Sequence, residues 1–279
     1  MVVRLVATDL DGTVVRGDGS MSVRTVAALR AVELAGLHLV LVTGRPPRWM
    51  HPVVEATGHR GVAVCANGGV VYDLAREEIL TRRPLATPVV IEAAQRLRAV
   101  LPGVVFAVED GVGFGREPGY RVRWPSGVAE DVAPLEELAD RAVVKLLVRH
   151  ERVEDSDALL AVVRASLGDL ADATHSSPAD TLVEVSAAGV SKASTLAQVA
   201  AQWGVAAAEV VAFGDQPNDL AMLAWAGRGI AVANAHPDVL AAAGEVTASV
   251  QEDGVARVVE RVLRDRDGDA SPPAPPGAP

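Results

Sequence analysis

The sequence predicts an α/β protein: a parallel sheet flanked by helices, interrupted by a second α/β unit. Three observations predict it. Short apolar runs alternate with helix-period segments up to about residue 80, and the alternation resumes near residue 187. Most of the apolar runs in those two stretches end in polar or glycine residues. Strands alternating with helices pair in parallel, and such sheets bind ligands beyond the carboxyl ends of their strands.

In chain order, Val2 to Ala7 reads as a short buried strand that runs into Asp9-Leu10-Asp11-Gly12-Thr13. Residues i and i+2 of an extended chain point the same way, so Asp9 and Asp11 can project together. Two carboxylates side by side repel, and call for a cation or a shared proton. Ser22 precedes a helical pattern that Gly36 stops, and Leu37 to Val42 forms a second strand ending in Thr43-Gly44-Arg45. Pro46 and Pro47 open a helix to about Gly58, and the strand Val62 to Cys65 leads into Asn67-Gly68-Gly69. All these strand ends fall on one edge of the sheet.

From about residue 81 the rhythm changes. A helix over Thr87 to Leu101, a strand over Val104 to Glu109 and an irregular stretch over Asp110 to Pro134 come first. A strand over Val143 to Arg149, a helix over Asp155 to Leu167, and strands near Leu170 to His175 and Thr181 to Ser186 complete the inserted unit. The first rhythm then returns. Ser191 to Trp203 is a helix, and Val210 to Phe213 is a strand ending in Gly214-Asp215-Gln216-Pro217-Asn218-Asp219. Pro217 suits the first turn of the helix that follows. A strand over Gly229 to Val232 and helices over His236 to Ala243 and Asp253 to Leu263 close the ordered chain. Residues 265–279, rich in Pro, Asp, Gly and Ala, are expected to be disordered. The expected organisation is 1–80 with 187–264 as a discontinuous core, 81–186 as the insertion, and 265–279 as a tail.

The chain has 279 residues, 49% of them hydrophobic, and so can bury a sizeable core. A formal net charge of -10 argues against nucleic acid or an anionic membrane surface as partner. Cys65 is the only cysteine, which excludes an internal disulfide and fits a reducing compartment. With neither a signal-peptide layout nor an apolar run long enough for a bilayer, the expectation is a cytoplasmic protein.

A carboxylate nucleophile acting on a phosphate ester needs a metal, donors for the phosphoryl oxygens and a proton source. Asp9 is the candidate nucleophile and Asp11 the candidate acid and base. Asp215 with Asp219 forms a second acidic pair at a strand end, and oxygens from both pairs suit Mg²⁺. Lys192 is the one lysine expected on the ligand edge, while Lys145 lies in a strand of the insertion. Thr43 offers a hydroxyl, and the Thr43-Gly44 turn its backbone N–H groups. Arg45 and Asn67 stand between site residue and ordinary surface or turn residue. Arg116, Arg121, Arg123 and Trp124 of the insertion read either as a substrate-reading cluster or as a solvated face.

Asp9-Leu10-Asp11-Gly12-Thr13, Thr43-Gly44-Arg45, Lys192 and Gly214-Asp215-Gln216-Pro217-Asn218-Asp219 together resemble, in order, the four motifs of the haloacid dehalogenase superfamily. The long insertion and Asn67-Gly68-Gly69 resemble its Cof-type, sugar-phosphatase-like branch. The resemblance covers residues 1 to about 264, with the insertion matched in size and rhythm alone. It implies a Rossmann-like parallel-sheet core with an inserted α/β cap, and a phosphatase acting on a small phosphate ester through an aspartyl-phosphate on Asp9. It further implies Mg²⁺ on the Asp9 carboxylate, the Asp11 carbonyl and the Asp215 carboxylate, with Asp219 holding metal waters. Thr43, Gly44 and Lys192 would bind the phosphoryl group, and Asn218 would contact substrate or orient the site. Gln216-Pro217 departs from the commoner filler at those positions, where no role is assigned. A phosphosugar mutase of the phosphomannomutase kind, a receiver-like phospho-switch and a catalytically silent phosphate-binding protein are the rival readings, and the oligomeric state stays open.

Overall fold

A computed structural model describes residues 2–123, 125–153, 155–177 and 180–269, the side chains of 267–269 excepted. The strands that alternate with helices assemble as expected. β1 (Leu5–Thr8), β2 (His38–Val42), β3 (Val62–Cys65), β4 (Val70–Asp73) and β5 (Glu78–Arg82) form one side of a sheet. Their helices are α1 (Val23–Leu34), capped by the Ser22 side chain, and α2 (His51–Thr57), preceded by a short 3-10 turn at Pro47–Trp49.

The insertion contributes α3 (Thr87–Val100), β6 (Val105–Glu109), β7 (Phe114–Arg116), β8 (Glu130–Val132), α4 (Leu135–Leu138) and β9 (Lys145–Arg149). It continues through α5 (Ser156–Leu167), β10 (Ala171–Thr174) and β11 (Leu182–Ala187). The chain then re-enters the first sheet through α6 (Lys192–Gln202), β12 (Val210–Gly214), α7 (Leu220–Trp225), β13 (Arg228–Val232), α8 (Pro237–Ala242), β14 (Glu245–Thr247) and α9 (Gly254–Asp269).

Among the described residues the core sheet has the order β14-β13-β12-β1-β2-β3-β4-β5. It is parallel from β14 to β3, and β4 and β5 then add antiparallel. That antiparallel edge corrects the wholly parallel expectation: β3, β4 and β5 are joined by turns too short to carry a crossover helix. β5 also takes the core sheet to Arg82, just inside the stretch expected to belong to the insertion. β1, β2 and β12 are buried almost throughout, as strands covered on both faces must be. β1 lies between β2 and β12, so the connections leave its two sides in opposite directions. Its carboxyl end is therefore the topological switch point, where such sheets hold their ligands. Asp9 follows immediately, its N–H donating to Phe213 O at 2.9 Å.

The second sheet, β10-β11-β9-β6-β7-β8, is mostly antiparallel, with only β7 and β8 parallel. Phe106, Leu97, Leu146, Val163 and Val185 form its own buried cluster with α3 and α5. The two layers meet through polar ties. Arg48 grips Glu109 with two bonds of 2.7 and 2.6 Å, and Lys145 donates to Gly44 O at 2.7 Å. Asp157 of α5 lies 2.7 Å from His175 Nε2 and 3.3 Å from His236 Nε2, the latter at the cap of α8.

α9 runs to Asp269, so residues 265–269 are helical, contrary to the expected tail. Arg266 fastens this last turn by donating to Ala35 O. Residues 270–279 of that tail, and Trp124, lie outside the described residues.

Candidate active site

Three buried carboxylates meet one buried ammonium at the end of β1. Lys192 Nζ donates to Asp9 Oδ1 and to Asp219 Oδ1, each at 2.6 Å. The lysine is placed by the start of α6, where Ser191 caps the helix and Ser194 returns a bond to the Ser191 N–H. Thr195 Oγ1 of the same turn donates to Gly68 O, joining α6 to the turn after β3. Asp219 Oδ2 accepts from the N–H groups of Asp215 and Gln216, at 3.0 Å each, and so holds the loop after β12. Asp215 accepts from Thr13 Oγ1 at 3.0 Å and from Gln216 Nε2 at 2.9 Å. Gly12, with φ 86°, passes so close that a Cβ there would lie 2.3 Å from Asp215 Oδ2.

The charges do not balance. Three carboxylates against one ammonium leave two negative charges in a nearly dry cluster. Burial, together with the charges of Asp219 and Asp215, raises the Asp9 carboxyl well above its ordinary value, despite the pull of Lys192. Burial and the neighbouring Asp219 charge push Asp215 up to about 6. Burial opposes the Lys192 charge too, but Asp219 and Asp9 outweigh it and hold the ammonium above its ordinary range. Ligand oxygens of Asp9, Asp215 and Asp219 all lie within 4.8 Å of one another. A hard divalent cation fits this donor set by charge and by atom type. The buried Gln216 Oε1, which has no hydrogen-bond partner, adds a polar atom beside it.

A second grouping among the described residues, Asp157 with His175 and His236, offers metal-ligand types as well. Its hydrogen bonds argue otherwise. His236 Nδ1 accepts from the Asp238 N–H, so Nε2–H is the donor to Asp157. It is a clasp between α5 and α8.

Asp11 stands apart from the acidic cluster. Its side chain is 57% exposed, and both its oxygens take the Arg45 guanidinium, Nε at 2.7 Å from Oδ2 and Nη2 on Oδ1. Thr43 is buried, and its hydroxyl oxygen accepts from the Arg45 N–H. A cavity of about 880 Å³ opens over these residues, lined from the core by Asp9, Asp11, Gly44, Arg45, Trp49 and Asn218. From the second sheet and its loops it is lined by Phe114, Tyr120, Arg123, Lys145, Arg149 and Glu184, among others. Of the arginine cluster read from sequence, Arg123 reaches the cavity and pairs with Asp180. Arg116 instead pairs with Glu130 and Arg121 with Glu151. Burial pushes the Cys65 thiol up to about 12, so it stays inert.

The structure thus brings Asp9, Lys192, Asp215 and Asp219 into direct contact, and sets Asp11, Thr43, Gly44, Arg45, Asn67 and Asn218 around them. Sequence reasoning missed Thr13, Arg48, Glu109 and Glu184. Thr13 had a signal, as the last residue of the first motif; the others lie in stretches with no spacing to read.

Residues 6–259 match the family described as haloacid dehalogenase-like hydrolase. Pyridoxal phosphate phosphatase YbhA of Escherichia coli is 29% identical over 276 residues, covering 93% of this chain and 98% of that protein. The 5-amino-6-(5-phospho-D-ribitylamino)uracil phosphatase YcsE of Bacillus subtilis is 28% identical over 257 residues, covering 92% and 94%. Among solved structures, the subclass IIB sugar phosphatase BT4131 superposes with a TM-score of 0.78 at 21% identity, covering 93% of this chain and 98% of the other. The family match, the two-sheet fold it shares with that structure, and an acidic cluster at the switch point agree: this chain is an enzyme of the haloacid dehalogenase-like hydrolases, in the Cof-type branch whose relatives are phosphatases.

Proposed function

We propose that this protein is a Mg²⁺-dependent phosphatase hydrolysing a small phosphorylated metabolite, a sugar phosphate or similar ester, in the cytoplasm. One observation carries the reading: Asp9, buried at the switch point, has one oxygen held by Lys192 and faces a cavity large enough for a metabolite. Asp9 attacks phosphorus, the ester P–O bond breaks, and the leaving oxygen takes a proton from Asp11. Asp11 then takes a proton from water, whose oxygen attacks the aspartyl-phosphate, releasing phosphate and regenerating Asp9. Lys192, the Thr43 hydroxyl and the Gly44 N–H bind the phosphoryl oxygens.

The carboxylates of Asp9 and Asp215 and the carbonyl of Asp11 would hold Mg²⁺, with Asp219 behind them fixing Lys192 and the loop. The ion supplies charge neutralisation for the carboxylates and the phosphoryl group. Arg45 occupies both oxygens of Asp11, so proton transfer requires Arg45 to turn to the substrate. Residues 83–187 act as a cap that excludes bulk water from the core formed by 1–82 and 188–269. Trp49, Phe114 and Tyr120 in the cavity support a ring-bearing leaving group, in keeping with the esters for which the E. coli and B. subtilis relatives are named.

p-Nitrophenyl phosphate turnover with and without Mg²⁺ tests the mechanism. Asp9→Asn should lose at least about 10³-fold in kcat, the nucleophile being gone. Full activity in that variant would sink it.

A further inference from the structure

The loop between β13 and α8 supports the two loops that build the acidic cluster. Asn234 Nδ2 donates to Gly12 O and the His236 N–H to Asp215 O, each at 2.8 Å. His236 also caps α8, its Nδ1 accepting from the Asp238 N–H at 3.2 Å. Its Nε2–H is left for Asp157 Oδ2, 3.3 Å away on the first turn of α5 in the insertion. One histidine thus ties together the carbonyl of Asp215, the start of a core helix and a carboxylate that overlies the core.

Asp157 serves two such donors. Its Oδ1 lies 2.7 Å from His175 Nε2. The bond from His175, with that from His236, holds the Asp157 carboxyl below its ordinary range, although burial opposes the charge. An ionised carboxylate can only accept, so both histidines face it with an N–H. His175 is fully buried and its Nδ1 has no partner, which leaves Nε2 as the nitrogen that carries its proton. The two rings meet edge to face with centroids 5.9 Å apart. Asp157 is half-exposed, but the His236 side chain is only 8% exposed. Without Asp157, two buried N–H donors lose their acceptor, and the His236 ring keeps only its bond from the Asp238 N–H. Ser176, the residue after His175, lines the cavity, so this clasp stands at the rim of the site.

We propose that Asp157 and His236 are positioning residues that make Mg²⁺ affinity depend on the cap. Asp157 holds the His236 ring, the His236 main chain holds Asp215, and the seated cap thereby sets the loop after β12 for the cation. Mg²⁺ demands near-ideal octahedral geometry, so a small displacement of one carboxylate is felt in affinity. The coupling is reciprocal: Mg²⁺ favours the seated cap as the seated cap favours Mg²⁺. The inference rests on the reading of Asp215 as a Mg²⁺ ligand. It gives work to a pair of histidines that phosphoryl transfer does not use.

The test is the Mg²⁺ dissociation constant, from isothermal titration of the full chain at pH 7.5. Wild type is compared with Asp157→Ala, His236→Ala, the double variant and Asp155→Ala. His236→Ala keeps the main-chain bond to Asp215 and removes the ring alone. The stoichiometry of each titration counts the folded protein, so the constant does not report lost material. Asp157→Ala and His236→Ala should each weaken Mg²⁺ binding about fivefold, less than the about tenfold or more that follows loss of a direct support to a metal ligand. The double variant should be no weaker than either, since both break one route. Asp155 caps the same helix α5 by accepting from the Ala158 N–H. Asp155→Ala should lower the urea midpoint and leave the Mg²⁺ constant unchanged. An unchanged constant in Asp157→Ala would overturn the inference and leave the metal reading intact. So would additive losses in the double variant, or an equal loss in Asp155→Ala, which would mark a merely structural role for α5. Absence of Mg²⁺ binding in wild type would overturn both the reading of Asp215 and the inference.

Discussion

Asp215 shows how the proposed metal site would set activity against stability. Burial and Asp219 raise its carboxyl to about 6, above the ordinary carboxylate value. Between roughly pH 4 and 6 the folded protein then binds more protons here than the unfolded chain, so stability falls as pH rises through that window. The loss amounts to about 3 kcal/mol for this group in the absence of a cation. A divalent cation that binds the ionised form reverses it. Thermal unfolding should therefore show a large rise in Tm on adding Mg²⁺ at pH 7.5 and little rise at pH 5. Asp215→Asn should be more stable than wild type without metal and should lose the Mg²⁺ response. Equal Mg²⁺ stabilisation at both pH values would contradict this account.

At the scale of the element, the site is made by the ends of strands and the starts of helices. β1 and β12 had to be adjacent for Asp9 and Asp215 to meet, and the loop between β1 and α1 had to pass beneath Asp215. Gly12 allows that passage by its positive φ and its missing side chain. Gly12→Ala should displace Asp215 and weaken apparent Mg²⁺ affinity by at least about tenfold, as altered supports of a metal site do. At Gly36, φ 73° after α1, a Cβ would meet nothing within 4 Å. Gly36→Ala should therefore cost only backbone strain, about 1 kcal/mol in urea unfolding, with Mg²⁺ affinity unchanged. Similar effects from the two substitutions would remove the steric argument. Most elements were legible from local pattern: β3 falls on its predicted residues, α1 starts just after the Ser22 expected to precede it, and α6 starts one residue after its expected beginning at Ser191. β4, β5, β7, β8 and β14 were not, because each is only three to five residues long and lacks an unbroken apolar run.

For the molecule as a whole, the cap is held over the core by polar ties. The Arg48–Glu109 pair is the clearest: both side chains are largely buried, and Arg48 also donates to Ser126 O, as does Trp49. Removing Arg48 leaves Glu109 without its counter-charge, but both line the cavity, so water offsets part of the about 3–5 kcal/mol that a fully enclosed pair would lose. Arg48→Met should raise KM and lower stability, and Glu109→Leu in that background should recover part of the loss. A double-mutant cycle read by urea unfolding measures the coupling; strict additivity would show that the pair does not act as a unit. Hydrolytic chemistry in a site roofed by such ties needs the ties to part for product release.

The sequence by itself determined the fold class and singled out Asp9, Asp11, Thr43, Lys192, Asp215 and Asp219 as candidate site residues. These residues sit in short runs at strand ends and helix starts, where local chain geometry dictates direction. Only the tertiary structure decided what Lys145, Glu184, Arg48 and Glu109 face, because each meets a partner across a sheet or across the cap–core boundary. It also decided that Asp11 is held by Arg45 while Asp9 and Asp215 share the buried cluster. Contacts of that kind depend on how two sheets are stacked, and no local spacing encodes the stacking. The acidic cluster in which the resemblance implies a cation is brought together by the pairing of β1 with β12, which sets Asp9 beside Asp215.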